Sequence, residues 1–541
     1  YTDRKLRYRL KDGAPDPAFV AADRAALAAM ARATLDASSR RKVSPVYVLL
    51  DHLREPEWRT LLLAQQSEFS QGYEAWRSRM EVARQKSLAG DILTLADETP
   101  TQALWLEAKR LAGNCLLKLQ HFDLALEQFD AALAIEPDDK PSLEKRAVCL
   151  GRLGRHEQAR ELVRSLTERH PLDAETWALA GRVEKVHWIS RWRDAALTPE
   201  QMREAAAAEL ASLEEAIAPY RQAFIAEPSH HYSGINALTL QLLLRHLGGE
   251  ASPTLIDNLA GGVLWAALSA QQREPKDYWA RASFAELCLL LNPKAAVQRE
   301  YRSTVAAAQR DRFALESTRE TLLLLRDLQF RPDETAAALE VLEREIARLA
   351  APFQPRQVLL FSGHMVDAPD RQQPRLPASK LPQATQALQQ ALDGLRVGDG
   401  DLLLTQGAAG GDLLCAEACH ARGVRVQLLL PLDEPEFIER SILPSAGGDD
   451  WLRRYFELKA SLPVAPRVMP DELGPCPRGG NAFERANLWL LYSALAWGQD
   501  KVRFVCLWDG GGGDGPGGTA HMYNEVKRRT GRVTWIDTRK L

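Results

Sequence analysis

Two rhythms of apolar residues divide the chain. Between about residues 96 and 350 apolar positions recur at helical spacing, in helix-length segments parted by short polar turns. Pro137 closes the segment Ala134-Ile135-Glu136-Pro137, and Pro171 closes Glu168-Arg169-His170-Pro171. The two prolines lie 34 residues apart, the tetratricopeptide period. Small residues stand where paired helices would touch: Ala112-Gly113, Ala125 and Ala132 in one repeat, Ala147, Gly154 and Ala159 in the next. Trp177, Ala180 and Gly181 open a third repeat. A charged insertion, Arg191 to Leu213, delays its second helix, which carries Ala216, Tyr220, Ala223 and Phe224 and ends at Pro228. Tyr232-Ser233-Gly234 reads as a turn before an apolar helix, Ile235 to Leu244. After Gly248-Gly249, further helices are predicted over 255–271, 278–291, 295–309, 315–325 and 334–350. Such helices stack because none can bury its apolar face alone.

The prolines of Ala351-Pro352-Phe353-Gln354-Pro355 break this rhythm and mark a boundary. Beyond it short apolar runs alternate with helical patterns. Strands are predicted at 357–361, 401–404, 424–430, 503–508 and 532–536, with helices at 381–395, 413–422, 483–497 and 519–530. This alternation implies a parallel sheet covered on both faces. The fold class expected is multidomain: an all-α tetratricopeptide-like scaffold, 96–350, followed by an α/β Rossmann-like domain with a mainly parallel sheet, 355–541. Residues 1–95 form an N-terminal adaptor segment of undecided fold. Within it Leu6 to Leu10 alternates like a strand, Ala21 to Leu35 is helical, and Pro45 to Leu50 is a strand or a helix start. The chain opens on Tyr1 rather than Met, which leaves room for sequence upstream.

Composition narrows the class. A chain of 541 residues with 45% apolar and 26% charged residues is globular and needs more than one core. The net charge of −3 gives no general pull toward nucleic acid, and no run reaches the roughly 20 apolar residues of a spanning helix. No signal-peptide pattern is visible. Seven scattered cysteines without a framework point to reduced thiols and a cytoplasmic setting. Cys415 and Cys419, four apart on one predicted helix, lack a second ligand pair and are expected as buried small residues rather than metal ligands.

Ligands of parallel sheets bind beyond the carboxyl ends of the strands. Three loops fall there. The first is Ser362-Gly363-His364-Met365, followed by Asp370, Arg371 and Arg375. The second is Thr405-Gln406-Gly407-Ala408-Ala409-Gly410-Gly411-Asp412, and the third runs from Asp509 through Gly510-Gly511-Gly512-Gly513-Asp514-Gly515-Pro516-Gly517-Gly518 to Thr519. Glycines let backbone approach a ligand, and each following helix offers free N–H groups and a positive dipole end to a phosphate. The binding residues expected are Gly363, His364, Arg371, Gly407, Ala408, Gly410, Gly411, Asp412, Gly517, Gly518 and Thr519, with Gly517-Gly518-Thr519 placed to cap a helix. Asp412 either bonds a ribose hydroxyl or holds the loop's own N–H groups. Arg375, Arg440 and Arg485 are further phosphate partners to consider. Trp508 and Phe437 could stack a base, with core packing the alternative. The acidic stretch Pro431 to Phe437 argues against a nucleic-acid groove.

Two resemblances sharpen these expectations. Gly181-Arg182-Val183-Glu184-Lys185 and His231-Tyr232-Ser233-Gly234-Ile235-Asn236-Ala237 are similar to signatures of the tetratricopeptide-type regulatory region of the apoptosis signal-regulating kinases, which implies control or assembly. The glycine–aspartate loop with Ala416, His420, Gly423 and Pro431, and Gly515-Pro516-Gly517-Gly518-Thr519, resemble the SLOG superfamily, the Rossmann-like group of the LOG and DprA proteins. That resemblance implies a nucleotide-derived ligand, NAD- or ADP-ribose-related, and a bacterial antiphage setting. The cytokinin-activating members place a Glu after the Gly-Thr; here Ala520, His521 and Met522 follow Thr519, and with the alignment started at Pro516-Gly517-Gly518 Asn524 takes that place and Glu525 is one beyond it. A binder is therefore favoured over an enzyme, with Asp412, Glu417 and Glu525 as the weak catalytic candidates and an NAD or nucleotide glycosidase or transferase as the alternative. No obligatory cofactor, metal or membrane is expected. The partners expected are the small ligand and a protein effector on the repeats; homo-oligomerisation is left open, as is a pure interaction scaffold.

Overall fold

The computed structural model describes residues 10–11, 14–15, 72–98, 104–349, 353–477, 479–512 and 517–541. The chain divides into two compact units, Tyr1–Arg77 and Ser78–Leu541. In the first, Leu10–Lys11 pairs antiparallel with Ala14–Pro15. The helix expected over 21–35 and the apolar run at 45–50 lie outside the described residues, as does the alternating run before Leu10.

The second unit opens on helical residues, 78–85, followed by α1 (Ala89–Asp97) and then by helix pairs. These are α2 (Trp105–Lys118) with α3 (Phe122–Ile135), and α4 (Lys140–Arg152) with α5 (His156–Arg169). The third pair, α6 (Ala174–Trp192) and α8 (Leu210–Ala226), is interrupted by α7 (Pro199–Ala207). Then come α9 (His231–His246) with α10 (Pro253–Arg273), α11 (Tyr278–Leu291) with α12 (Lys294–Ala307), and α13 (Arg312–Asp327) with α14 (Pro332–Arg348). The charged insertion is thus a helix of its own, started by a capping box between Thr198 and Gln201.

Small residues set the helix crossings. A Cβ on Gly181 would stand 2.6 Å from the Tyr220 ring, and one on Gly113 2.7 Å from Phe129. Ala112, Ala125, Ala132, Ala147 and Ala159 are fully buried. Gly154 departs from the expectation: it has φ +74° and open space, and serves as the left-handed turn after α4. Asp139 and Asp173, again 34 residues apart, cap α4 and α6. Arg110 pairs with the first and Lys140 with the second, so each cap is tied to the preceding repeat. Tyr232-Ser233-Gly234 is no turn; the three residues lie in the first turn of α9.

The remainder is a six-stranded parallel sheet, β1 (Val358–Gly363), β2 (Leu402–Thr405), β3 (Arg425–Leu430), β4 (Arg467–Val468), β5 (Val502–Trp508) and β6 (Val533–Asp537). The spatial order is β4-β3-β2-β1-β5-β6, every neighbour parallel. The order reverses between β1 and β5, the switch point where an open α/β sheet forms its crevice. Helices α15 (Leu381–Gly394), α16 (Gly411–His420), α17 (Glu434–Ser441), α18 (Gly448–Ser461), α19 (Met469–Leu473), α20 (Ala482–Leu495) and α21 (Thr519–Arg529) complete it. β4, α18 and α19 carry no expectation from the sequence, and the acidic stretch after Pro431 leads into α17. Among the described residues no helix is long and apolar enough to cross a membrane.

Candidate functional site

The three loops singled out by glycine content leave three adjacent strands. β2 and β5 flank β1, so the glycine turns after β2 and β5 meet at the carboxyl end of β1 from its two sides. The loops after β1 and β2 are laced by backbone. Gly411 N–H donates to His364 O at 3.0 Å, Val366 N–H to Ala409 O at 3.2 Å, and Met365 bridges Gly410. Gly410 has φ +104°, and a Cβ there would stand 2.7 Å from Val366 N. A Cβ on Gly411 would stand 3.1 Å from Gly363 Cα. These two glycines are needed for loop-to-loop packing. Gly407, with φ +88°, faces the Leu428 side chain.

Asp412 closes the same knot. It is buried in the first turn of α16, where its carboxylate accepts the N–H groups of Gly363 at 3.2 Å and of Ala408 at 3.4 Å. Of the two roles open to it, the geometry gives loop-holding. Burial pushes its pKa up from the usual 3.8 to about 6, against the pull of the N–H groups.

The third loop joins through side chains. Asn487 of α20 donates to Gly517 O at 2.7 Å, and its own Oδ1 accepts from Gln406 Nε2 at 3.2 Å. One buried amide therefore ties the β2 turn to the β5 turn. Gly517 has φ +89°, and a Cβ on it would stand 2.6 Å from Glu484 N, so the turn lies against the start of α20. The N-cap of α21 is Gly518, with no side-chain cap, and Thr519 is the first helical residue. The Thr519 hydroxyl accepts from Ser362 at 3.3 Å across the β1–β5 switch point. Glu525 pairs with Arg528 on the outer turns of α21, and Glu417 is held bidentate by Arg454. Neither carboxylate is free at the rim.

The other candidates are placed as follows. His364 is buried, and its Nε2 accepts the Asp509 N–H at 3.1 Å. Burial lowers its pKa, opposed by the Asp509 carboxylate, whose Oδ1 lies 3.0 Å from the same nitrogen. Arg371 is engaged within its own loop, donating to Gln373 O at 2.9 Å and pairing with Asp367 at 3.4 Å. Asp367 also accepts the N–H groups of Arg375 and Leu376, which closes that loop on itself. Arg440 pairs with Glu436 one turn away. Arg485 is buried against Glu98 and the carbonyls of Gly474 and Leu473. Trp508 packs with Tyr523 and Trp535, and Phe437 is core. Cys415 and Cys419 are buried thiols, and no cluster of three His, Cys, Asp or Glu among the described residues suits a metal. Arg539, absent from the sequence reading, lies over Trp535 and beside Gly510 at the rim.

Comparison with known proteins bears on the helical half. A family model described as "Tetratricopeptide Repeats-Sensor" matches residues 121–241. The helical half is a tetratricopeptide-repeat region. A thermophilic tetratricopeptide-repeat protein of Thermus thermophilus aligns at 19% identity over 40% of this chain and 99% of its own, with a TM-score of 0.30. The human IFIT1 dimer with PPP-AAAA aligns at 11% identity over 84% of this chain and 97% of its own, with a TM-score of 0.25. Among curated proteins none matches. Together with the parallel α/β domain, this gives a protein-interaction module joined to a domain of ligand-binding architecture.

That junction is itself a set of polar contacts, buried at Asp91 and Arg485 and open to solvent at Asp97 and Glu127. Asp91 of α1 accepts from Trp489 Nε1 at 2.7 Å and pairs with Arg467. Glu98 pairs with Arg485, and Asp97 accepts from Tyr492 at 2.6 Å. Arg529 of α21 reaches Glu127 of α3 at 2.7 Å. Helix α20 thus faces the tetratricopeptide region through α1 while its Asn487 holds the two glycine turns. The sequence reading missed Asn487 and this contact. A polar residue at an apolar helical position, in Arg485-Ala486-Asn487-Leu488-Trp489, was the available signal.

Proposed function

We propose that the α/β domain binds a small nucleotide-derived ligand, NAD- or ADP-ribose-related, at the rim shared by the β1, β2 and β5 loops. Occupancy is relayed through α20 and α1 to the helical repeats, which engage a protein effector; the setting implied by the resemblance is antiphage defence. The observation that carries the reading is the hydrogen-bonded chain Gln406–Asn487–Gly517, which joins both glycine turns at the strand-order reversal. The uncapped start of α21 lies at the same rim and offers N–H donors to a phosphate.

One observation favours a second reading, a pure interaction scaffold. Gly410, Gly411 and Gly517 each have a close backbone neighbour that accounts for the missing side chain. Thermal melting with NAD, ADP-ribose, cyclic ADP-ribose isomers and nucleoside monophosphates separates the two. The ligand reading expects a rise in melting temperature, about 2.7 kcal/mol of stabilisation at a hundredfold excess over Kd. Asn487→Leu should abolish that rise. No shift with any compound at saturating concentration supports the scaffold, and chromatographic turnover of the compound would make the domain an enzyme.

A further inference from the structure

The first helices of successive pairs, α4, α6, α9, α11 and α13, line a groove of about 1030 Å³ on the tetratricopeptide region. Into one stretch of it come Arg152 from the end of α4, Arg182 and Lys185 from one face of α6, and Tyr232 and Asn236 from α9. The two segments singled out in the sequence, 181–185 and 231–237, are therefore the two walls of one cavity. We propose that this cavity is a second ligand site, distinct from the rim of the α/β domain, and that it takes a small organic phosphate held by Arg152, Arg182 and Lys185.

The argument is one of charge. None of the three cations has a carboxylate within ion-pair distance among the described residues, whereas Arg146, Arg160, Arg191, Arg193, Arg312 and Arg331 of the same repeats each have one. Arg182 Nε donates to the Tyr232 hydroxyl at 3.0 Å, and Lys185 Nζ donates to Asn236 Oδ1 at 2.6 Å. Neither acceptor is a carboxylate, though against burial Arg182 and Lys185 hold the Tyr232 phenol below its usual pKa. The two acceptors satisfy one donor on each of the two half-buried α6 cations without a contacting carboxylate, a costly arrangement where water is partly excluded. The deep carboxylate, Glu286, accepts from Thr239 at 2.6 Å and acts on Lys185 through space, not by contact. Burial holds the Lys185 ammonium below its usual pKa, against the pull of Tyr232 and Glu286 and helped by Arg182 and Arg152 as like-charged neighbours. An anion of charge two or more would compensate all three groups, and guanidinium forks match phosphate oxygens.

The surroundings choose among anions. Glu175, Glu227 and Glu274 are exposed at the lip, so a long polyanion such as nucleic acid would be repelled before reaching the cations. Leu179, Val186, Ile189 and Leu324 furnish an apolar wall beside them, suited to the organic part of a small phosphate ester. The volume fits a molecule of nucleotide size with room for water.

Calorimetric titration of the full chain with ADP and with pyrophosphate tests the site, with amide exchange to locate it. ADP should protect backbone amides in 178–189 and 230–239. Lys185→Met and Arg152→Gln should each weaken binding at least about tenfold, the loss of one charge-assisted contact. Arg152 is exposed, so its variant keeps the fold. A ligand-site lysine makes a further demand: without ligand, Lys185→Met should melt no lower than the parent, because an uncompensated charge has been removed. A lower melting temperature with unchanged binding would assign Lys185 to structure and overturn the proposal. So would absence of binding at millimolar probe. Protection confined to the 402–412 and 505–525 regions would overturn it too, while leaving the reading of the α/β rim intact.

Discussion

Gly410 shows how far a single position can be argued. Its φ of +104° and the 2.7 Å approach of Val366 N to a would-be Cβ both exclude a side chain. Gly410→Ala should cost roughly 3 kcal/mol, left-handed strain and overpacking together. Gly398→Ala, with no atom near and an ordinary φ, should change stability by less than about 0.5 kcal/mol. Urea denaturation of the two variants checks the contrast. Asp412 supports a pH prediction. Its folded pKa, about 6, stands above the unfolded 3.8. The neutral acid therefore favours the folded loop; its stabilisation is complete below about pH 4 and is lost as pH rises through about 6. Asp412→Asn should flatten the stability profile across that window, read by melting temperature at fixed ionic strength. From sequence this residue was left between a ribose contact and loop-holding, since a bare carboxylate beside a phosphate repels it, and its buried N–H contacts give the second. Asn487 was not, because its two partners lie 81 and 30 residues away and nothing local announces them.

At the level of elements, periodicity carried the reading where packing follows it. The helices of the repeats and β1, β2, β3, β5 and β6 fall within a few residues of the expected spans, since an apolar stripe or run is a local statement of which face is buried. The failures have local causes as well. His231 starts α9 because Ser233 and Gly234 are buried against α10 and Phe224, a tertiary demand that overrides their turn propensity. β4 is two residues long, below any period. Helix α1 is the instructive case: all but its last residue are buried, yet its partners Arg467 and Trp489 lie almost 400 residues on. Asp91 is the most buried of its polar ties. Asp91→Ala leaves Arg467 and the Trp489 N–H without their acceptor and should destabilise the protein by about 3–5 kcal/mol. Chemical denaturation would show this as a lower midpoint. A change under about 1 kcal/mol would mean that water replaces the carboxylate and that the contact is solvated.

For the whole molecule the question is whether the junction transmits or merely joins. Helix α20 touches both ends of the supposed relay, Asn487 at the glycine turns and Arg485 and Tyr492 at Glu98 and Asp97. Contiguity alone does not make a relay; both ends must bias one equilibrium. Linkage supplies the decisive form of the test. If a ligand at the rim changes how tightly α1 is held, then loosening α1 must change ligand affinity by the same factor. Glu98→Gln weakens the hold without touching the rim, since it keeps the shape of the side chain and removes the charge that faces Arg485. For a coupled molecule, the Kd of the rim ligand should move by about five-fold or more, and amide exchange in 89–97 should slow when ligand is added to the parent protein. Should the variant lose stability while ligand affinity stays constant, α1 is a rigid fastening. The repeats would then carry the α/β domain without hearing from it, and a partner's response would have to come from the surface of the α/β domain itself.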